Sequence, residues 1–277
     1  MIDCGEGTQI RLRQQRVTPA RIHHIFISHL HGDHVFGLYG LLSSMGMMGR
    51  QVPVNLYGPG RLRELMEQYL KYFGPLPYEI RCHAPGKGDG SLIYEDEKIT
   101  VEPIPLKHRT RTYGYLFREK EKPLNLRKEM VEEFQPGIAE MVRIKRGEDF
   151  ITNDGRVIPN REMVHPPYRR RSYAYLSDTR FEPGLAERVA GVDLLFHEAT
   201  FAGNDEKLAG ETLHSTSRQA AELARLAGVG RLLIGHFSTR YKDPFRLVEE
   251  AREIFPRTDG VMDGDRYSVP LERVAPE

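Results

Sequence analysis

Short apolar runs of strand length alternate along this chain with stretches whose apolar residues recur at helical spacing. Positions 22–28 read as a strand, followed by an apolar, glycine-containing stretch at 35–48 of helical length. A short strand is expected at 52–57. Gly58-Pro59-Gly60 then breaks the chain before a helix at 61–73, where Leu62, Leu65, Met66, Tyr69 and Leu70 fall at helical spacing. Positions 78–106 alternate as strands do, interrupted at 85–90, and 113–117 is a further strand. From 118 to 171 the core pattern is lost in charge, proline and glycine; it returns as a strand at 172–176. Helices at 183–190, 215–227 and 244–255 and strands at 192–196 and 231–234 complete the pattern. Strands alternating with helices predict an α/β layering. No repeat of 20–50 residues is visible.

Composition narrows the setting. A hydrophobic share of 39% in 277 residues is enough for one large α/β domain with room for an appended element. No apolar run approaches the roughly 18 residues of a membrane span, and no basic segment precedes an apolar stretch at Met1, so a cytoplasmic protein without membrane contact is expected. The two cysteines, Cys4 and Cys82, lie in no C-x-x-C and are expected to be buried free thiols. Any metal should therefore be held by histidine and carboxylate. A net charge of +1 neither supports nor excludes a nucleic-acid partner, which would need a local basic patch.

His29, His31, Asp33 and His34 crowd into a few residues just after a predicted strand. Imidazoles and carboxylates are zinc donors. In a tight loop, side chains at i and i+2 can reach one ion, and the Asp-His pair beyond them a second. The bland alternative is a solvated histidine-rich turn, but such a pattern arises by chance on the order of once per thousand chains. His108, Asp178 and His236 each follow an apolar strand, where α/β folds gather functional groups. Singly each is more often structural; beside the first cluster they become candidate ligands.

The pattern His29-x-His31-x-Asp33-His34 with His108, Asp178 and His236 resembles the metallo-β-lactamase superfamily. Asp3-Cys4-Gly5-Glu6-Gly7-Thr8-Gln9, His197-Glu198-Ala199-Thr200, His214-Ser215-Thr216 and Gly235-His236-Phe237-Ser238 are similar to words of the ribonuclease Z family, the tRNA 3′-processing endoribonucleases, across essentially the whole chain. The resemblance implies a four-layer αββα sandwich over 1–277 with a protruding arm inserted at 118–171. It implies two zinc ions per subunit, one held by His29, His31 and His108, the other by Asp33, His34 and His236, with Asp178 bridging and Asp3 fixing the ligand loop from beneath. Asp33 could also accept the nucleophile's proton, and His214, oriented by Glu198, would protonate the leaving 3′ oxygen. Read without the resemblance, His214 is a polar residue at a helix start, with Ser215 or Thr216 as the cap.

The expected reaction is removal of the 3′ trailer of precursor tRNA, leaving a 3′ hydroxyl on the tRNA and a 5′ phosphate on the trailer. Family arms grip the tRNA elbow; here Pro136-Gly137, Arg143, Lys145, Arg146 and Arg156 fall in that region, where the alternative is an ordinary solvated loop diluted by Glu129, Glu132, Glu133, Glu148 and Asp149. Arg109, Arg111 and the run Arg169-Arg170-Arg171 could add positive charge. The family also implies a homodimer. Its members carry strands ahead of the Asp3–Gln9 word, so an incomplete sheet with weaker folding or poor dimerisation is expected for a chain starting at Met1. Two rivals stand beside this reading: a hydrolase of the same superfamily acting on small phosphodiesters or sulfates, and a metal-containing RNA-binding protein without catalysis.

Overall fold

The computed structural model describes residues 1–86 and 91–274. The strands, in chain order, are β1 (His24–Phe26), β2 (Val54–Tyr57), β3 (Ile80–His83), β4 (Tyr94–Glu95), β5 (Ile99–Leu106), β6 (Thr112–Glu119), β7 (Phe150–Ile151), β8 (Val157–Ile158), β9 (Ser172–Leu176), β10 (Leu194–Glu198), β11 (Arg231–Gly235) and β12 (Thr258–Gly260). They form a parallel sheet in the order β1-β2-β3, a mixed sheet in the order β12-β11-β10-β9-β6-β5-β4, and the hairpin β7-β8. Within the mixed sheet β9 to β12 run parallel, and β6 is antiparallel to β9. Among the described residues no helix is long and apolar enough to cross a membrane.

The larger compact unit comprises Met1–Glu95, Thr100–Arg118 and Ser172–Tyr267. Its layers follow from which faces are apolar. Helix Ser217–Ala227 buries Ala220, Ala221, Leu223 and Ala224 against the mixed sheet, where Leu195, Leu232 and Ile234 are fully buried. Thr216 caps that helix by accepting from the Gln219 N–H at 3.2 Å, and Gly228 ends it at φ 61°, a conformation glycine adopts at little cost. On the small sheet lie helices Gly37–Met47, burying Leu38, Leu41, Leu42 and Met45, and Arg61–Phe73, burying Leu62 and Met66. Aromatic rings fill the space between the sheets: Phe26 meets Tyr115 and Phe117 edge-on, each at 5.3 Å between ring centres. The buried Tyr115 hydroxyl donates to the Ile27 carbonyl at 2.7 Å. The order helix, sheet, sheet, helix is the expected αββα sandwich.

Several elements differ from the pattern reading. The helix expected at 35–48 begins at Gly32 and restarts at Gly37, so Asp33 and His34 stand on a helical turn rather than in the loop before it. The alternating stretch 78–106 is shared between sheets, with β3 in one and β4 and β5 in the other; the break expected at 85–90 falls largely on 87–90, outside the described residues. Helices Thr8–Gln14 and Glu206–Thr212 and strand β12 were not legible: each is short, and the first buries no residue. Cys4 is a buried free thiol, pushed up to about 12 by burial, but Cys82 is only half-buried.

The second unit comprises Asp96–Ile99, Glu119–Arg171 and the segment from Ser268 onward. It corrects the expectation of a stretch without a core. Ile144, Phe150, Ile158, Met163 and Val164 are buried together, with Leu124, Leu126, Met130 and Phe134 packed on them. These residues come from two-residue strands and short helices, which leave no periodic window to detect. The Asn160 side-chain amide donates to the carbonyls of Ile144 and Glu148, both at 2.7 Å. Arg171 grips both oxygens of Glu119, at 2.7 and 3.1 Å, and holds that carboxyl down at about 2.

Candidate metal centre

Seven side chains from four segments of the larger unit converge, with the Asp178 carboxylate between them. Asp178, 3% exposed, follows β9. Its Oδ2 lies 3.5 Å from His29 Nε2 and 3.8 Å from His108 Nε2. Its Oδ1 lies 3.5 Å from His34 Nε2 and 3.4 Å from His236 Nε2. His31 completes the first side, with Nδ1 3.0 Å from His29 Nε2 and 3.4 Å from His108 Nε2. Asp33 completes the second, with Oδ2 3.5 Å from both His34 Nε2 and His236 Nε2. The donor atoms of His29, His31, His108 and Asp178 lie within 4.8 Å of one another, as do those of Asp33, His34 and His236.

The opposite nitrogen of four of the inward-facing rings is tied to protein. His34 Nδ1 lies 2.8 Å from Asp3 Oδ2, His108 Nδ1 2.9 Å from the Leu213 carbonyl, His29 Nδ1 3.0 Å from the Ser28 hydroxyl and His236 Nδ1 2.9 Å from the Thr200 hydroxyl. With Nδ1 donating outward, a neutral ring turns its Nε2 lone pair to the centre, which is how a metal-ligating histidine is wired. His34 Nε2 and Asp178 Oδ1 are buried without a hydrogen-bond partner among the described residues. Lone pairs that converge at about 3.5 Å, two of them orphaned in the interior, fit cations on both sides of Asp178.

Asp3 lies beneath the segment that carries His29 and His34. Its carboxylate accepts from the Ser28 N–H at 2.7 Å, the Ser28 hydroxyl at 2.8 Å, His34 and the Tyr175 hydroxyl at 3.0 Å. Glu198, fully buried, lies with Oε1 2.9 Å from His214 Nδ1, and the His214 ring centre lies 4.9 Å from that of His108. Burial would raise the Glu198 carboxyl, but the His214 hydrogen bond and the charges of His214, His236 and His197 hold it below its ordinary value. Asp3, Leu213 and His236 carry φ values of 50°, 60° and 61°, left-handed conformations that non-glycine residues seldom adopt. Strained backbone is thus found at the candidate ligand His236, at Asp3 beside His34 and at the Leu213 carbonyl that orients His108.

The two sides differ electrostatically. Burial, then neighbouring His34, His31 and His108, press His29 down to about 2; burial likewise lowers His108, with His214 and His31 adding to it. On the other side burial is outweighed. The Asp33 hydrogen bond, Asp178 and Glu198 raise His236 to about 9, and Asp3 raises His34. Asp33 is held well below the usual carboxylate range by His236, although its side chain is 66% exposed.

The cluster brings together all seven expected ligands, with Asp3 and His214 in contact with them and Glu198 holding His214. Sequence reasoning missed Ser28, Thr200, Tyr175 and Leu213. Thr200 stood inside a word already singled out, and Ser28 adjoins His29; Leu213 and Tyr175 left no signal. Arg143, Lys145, Arg146 and Arg156 belong to the second unit, where all four are exposed.

Residues 1–73 match the family model described as anti-Pycsar protein Apyc1, and residues 163–237 match the β-lactamase superfamily domain. The chain is 49% identical over 270 residues to a ribonuclease Z of Parabacteroides distasonis, covering 97% of this chain and 89% of that protein. It is 47% identical to a ribonuclease Z of Bacteroides fragilis, covering 93% and 85%. The crystal structure of human tRNase Z, short form, superposes with a TM-score of 0.67 at 27% identity, covering 97% of this chain and 87% of that one. A metallo-β-lactamase fold protein of Bacillus subtilis shares the fold with a TM-score of 0.65 at 16% identity, covering 95% and 84%.

Proposed function

The chain belongs to the ribonuclease Z family, and from that membership and the geometry of its centre we infer that it is a tRNA 3′-processing endoribonuclease, a phosphodiester hydrolase. The observation that carries the reading is the convergence of six predicted ligands on the two oxygens of Asp178 and on one another. His29, His31 and His108 would hold one zinc ion and Asp33, His34 and His236 the other, with Asp178 shared. Bound there, the metal ions supply water activation and neutralise charge on the phosphoryl oxygens.

The protein's own groups do the rest. Asp33 faces outward and is held ionised, so it can take a proton from the attacking water. His214 gives up Nδ1 to Glu198, which leaves Nε2 to deliver a proton to the departing 3′ oxygen. Breaking the bond between phosphorus and that oxygen leaves a 3′ hydroxyl on the tRNA and a 5′ phosphate on the trailer. Arg143, Lys145, Arg146 and Arg156 would contact phosphates and position the tRNA without reading its sequence. A cytoplasmic homodimer belongs to the same reading.

A 3′-extended precursor tRNA tests it. The expected result is one cut just past the acceptor stem with a 3′ hydroxyl on the upstream fragment. Hydrolysis of a small chromogenic phosphodiester with no cut in the precursor would transfer the site to the small-substrate rival.

A further inference from the structure

Thr200 lies two residues past the end of β10 and is 8% exposed. Its hydroxyl is 2.8 Å from Glu198 Oε2 and 2.9 Å from His236 Nδ1. Proton accounting fixes the direction of both bonds. The ionised Glu198 can only accept; Oε1 already takes the N–H groups of Thr179 and Ser215 and the His214 ring, and Oε2 takes the Thr200 N–H. A threonine hydroxyl has one proton, so that proton points at Oε2 and the oxygen's lone pairs face His236. His236 Nδ1 must then be the donor. In the neutral ring that a metal ligand must be, Nε2 is then the lone-pair nitrogen, the atom 3.4 Å from Asp178 Oδ1 and 3.5 Å from Asp33 Oδ2.

We propose that Thr200 is a positioning residue that ties the metal ligand His236 and the proton donor His214 to the same carboxylate, Glu198. One oxygen of Glu198 orients His214 directly, and the other orients His236 through the Thr200 hydroxyl. The need for such a tie is visible in the His236 backbone, whose φ of 61° is not one the residue would keep unaided. The opposite side of the centre is wired alike: the Ser28 hydroxyl donates to Asp3 Oδ2 at 2.8 Å and stands 3.0 Å from His29 Nδ1. A hydroxyl between ligand and carboxylate keeps the ring neutral and correctly turned, whereas a bare methyl would leave both Nδ1 and Oε2 short of a partner. The proposal rests on the metal-centre reading given above, not on the identity of the RNA.

The test compares zinc-loaded wild-type protein with Thr200→Val and Thr200→Ser. Thr200→Val should weaken the more labile zinc by about 10- to 100-fold in competition with a chelator and lower kcat on precursor tRNA by a similar factor, with KM nearly unchanged. Thr200→Ser, which keeps the hydroxyl, should restore both. Zinc affinity and kcat of Thr200→Val at wild-type levels would overturn the proposal, as would a fall in rate with zinc affinity untouched. Should Thr200→Val not fold, nitrogen-15 spectra of the wild-type histidines decide. His236 is expected to carry its proton on Nδ1; a proton on Nε2 overturns the assignment. Wild-type protein that holds zinc but cuts no tRNA would defeat the proposed function while leaving this zinc comparison intact.

Discussion

In the larger unit the polar groups that matter are buried and shared. Asp178 and Glu198 are 3% and 0% exposed, and each answers to several partners. In the smaller unit the charges that matter stand outside. Arg143, Lys145, Arg146 and Arg156 are exposed on a small core built on Ile144, Phe150, Ile158 and Met163. Under the proposed function the difference separates two kinds of work. A buried, over-determined polar network has one geometry and suits chemistry; an exposed basic surface suits contact with a flexible polyanion. Substitutions of the candidate metal ligands in the first should damage every substrate, and substitutions in the second only the large one.

Asp178→Ala sharpens that contrast most, because it removes the carboxylate common to both sides of the centre. Bound metal should fall and turnover of both precursor tRNA and a small chromogenic phosphodiester should drop by about 10³-fold or more. Metal analysis and rates on the same preparation check it. His214→Ala should lower the tRNA rate by about 10²-fold or more. A nitrophenolate leaving group needs no proton, so the small diester should be far less affected; equal losses would remove His214 from the proton-donor role. Reversing charge at Arg143, Lys145, Arg146 and Arg156 should raise KM for tRNA, spare the small diester and flatten the salt dependence by about one in log–log slope for each phosphate no longer neutralised. An unchanged salt slope would make those residues ordinary surface.

The remaining effects are local. Ile144→Ala should destabilise the smaller unit by about 2–4 kcal/mol, seen as faster amide exchange there while the metal centre keeps its zinc. The Glu119 carboxyl, pulled down to about 2 by Arg171, is worth least. A depressed folded-state pKa contributes stability above the ordinary carboxylate value and loses it as pH falls toward the folded value. Protease resistance of the smaller unit should therefore decline between about pH 4.5 and pH 2, and Glu119→Gln should abolish that part of the decline.

How much of this was legible in the sequence follows the same divide. The candidate ligands could be found because four histidines and aspartates crowd into positions 29–34 and three more follow apolar strands, and β9, β10 and β11 announce themselves as continuous apolar runs. Ser28 and Thr200 escaped because a hydroxyl becomes functional only when a ring nitrogen and a carboxylate arrive on either side of it. Leu213 escaped because its contribution is a backbone carbonyl in a left-handed conformation, and no side-chain type encodes that. The core of the smaller unit escaped because Ile144, Phe150 and Ile158 come from pieces too short to carry a period.

The most direct test of the centre is a metal titration of chelator-treated protein, reading bound ions and precursor tRNA cleavage together. Cleavage should be absent without metal and should reach its plateau as the second divalent ion per chain is bound. Undiminished cleavage by metal-free protein, or two bound ions with no cleavage of any phosphodiester, would contradict the account.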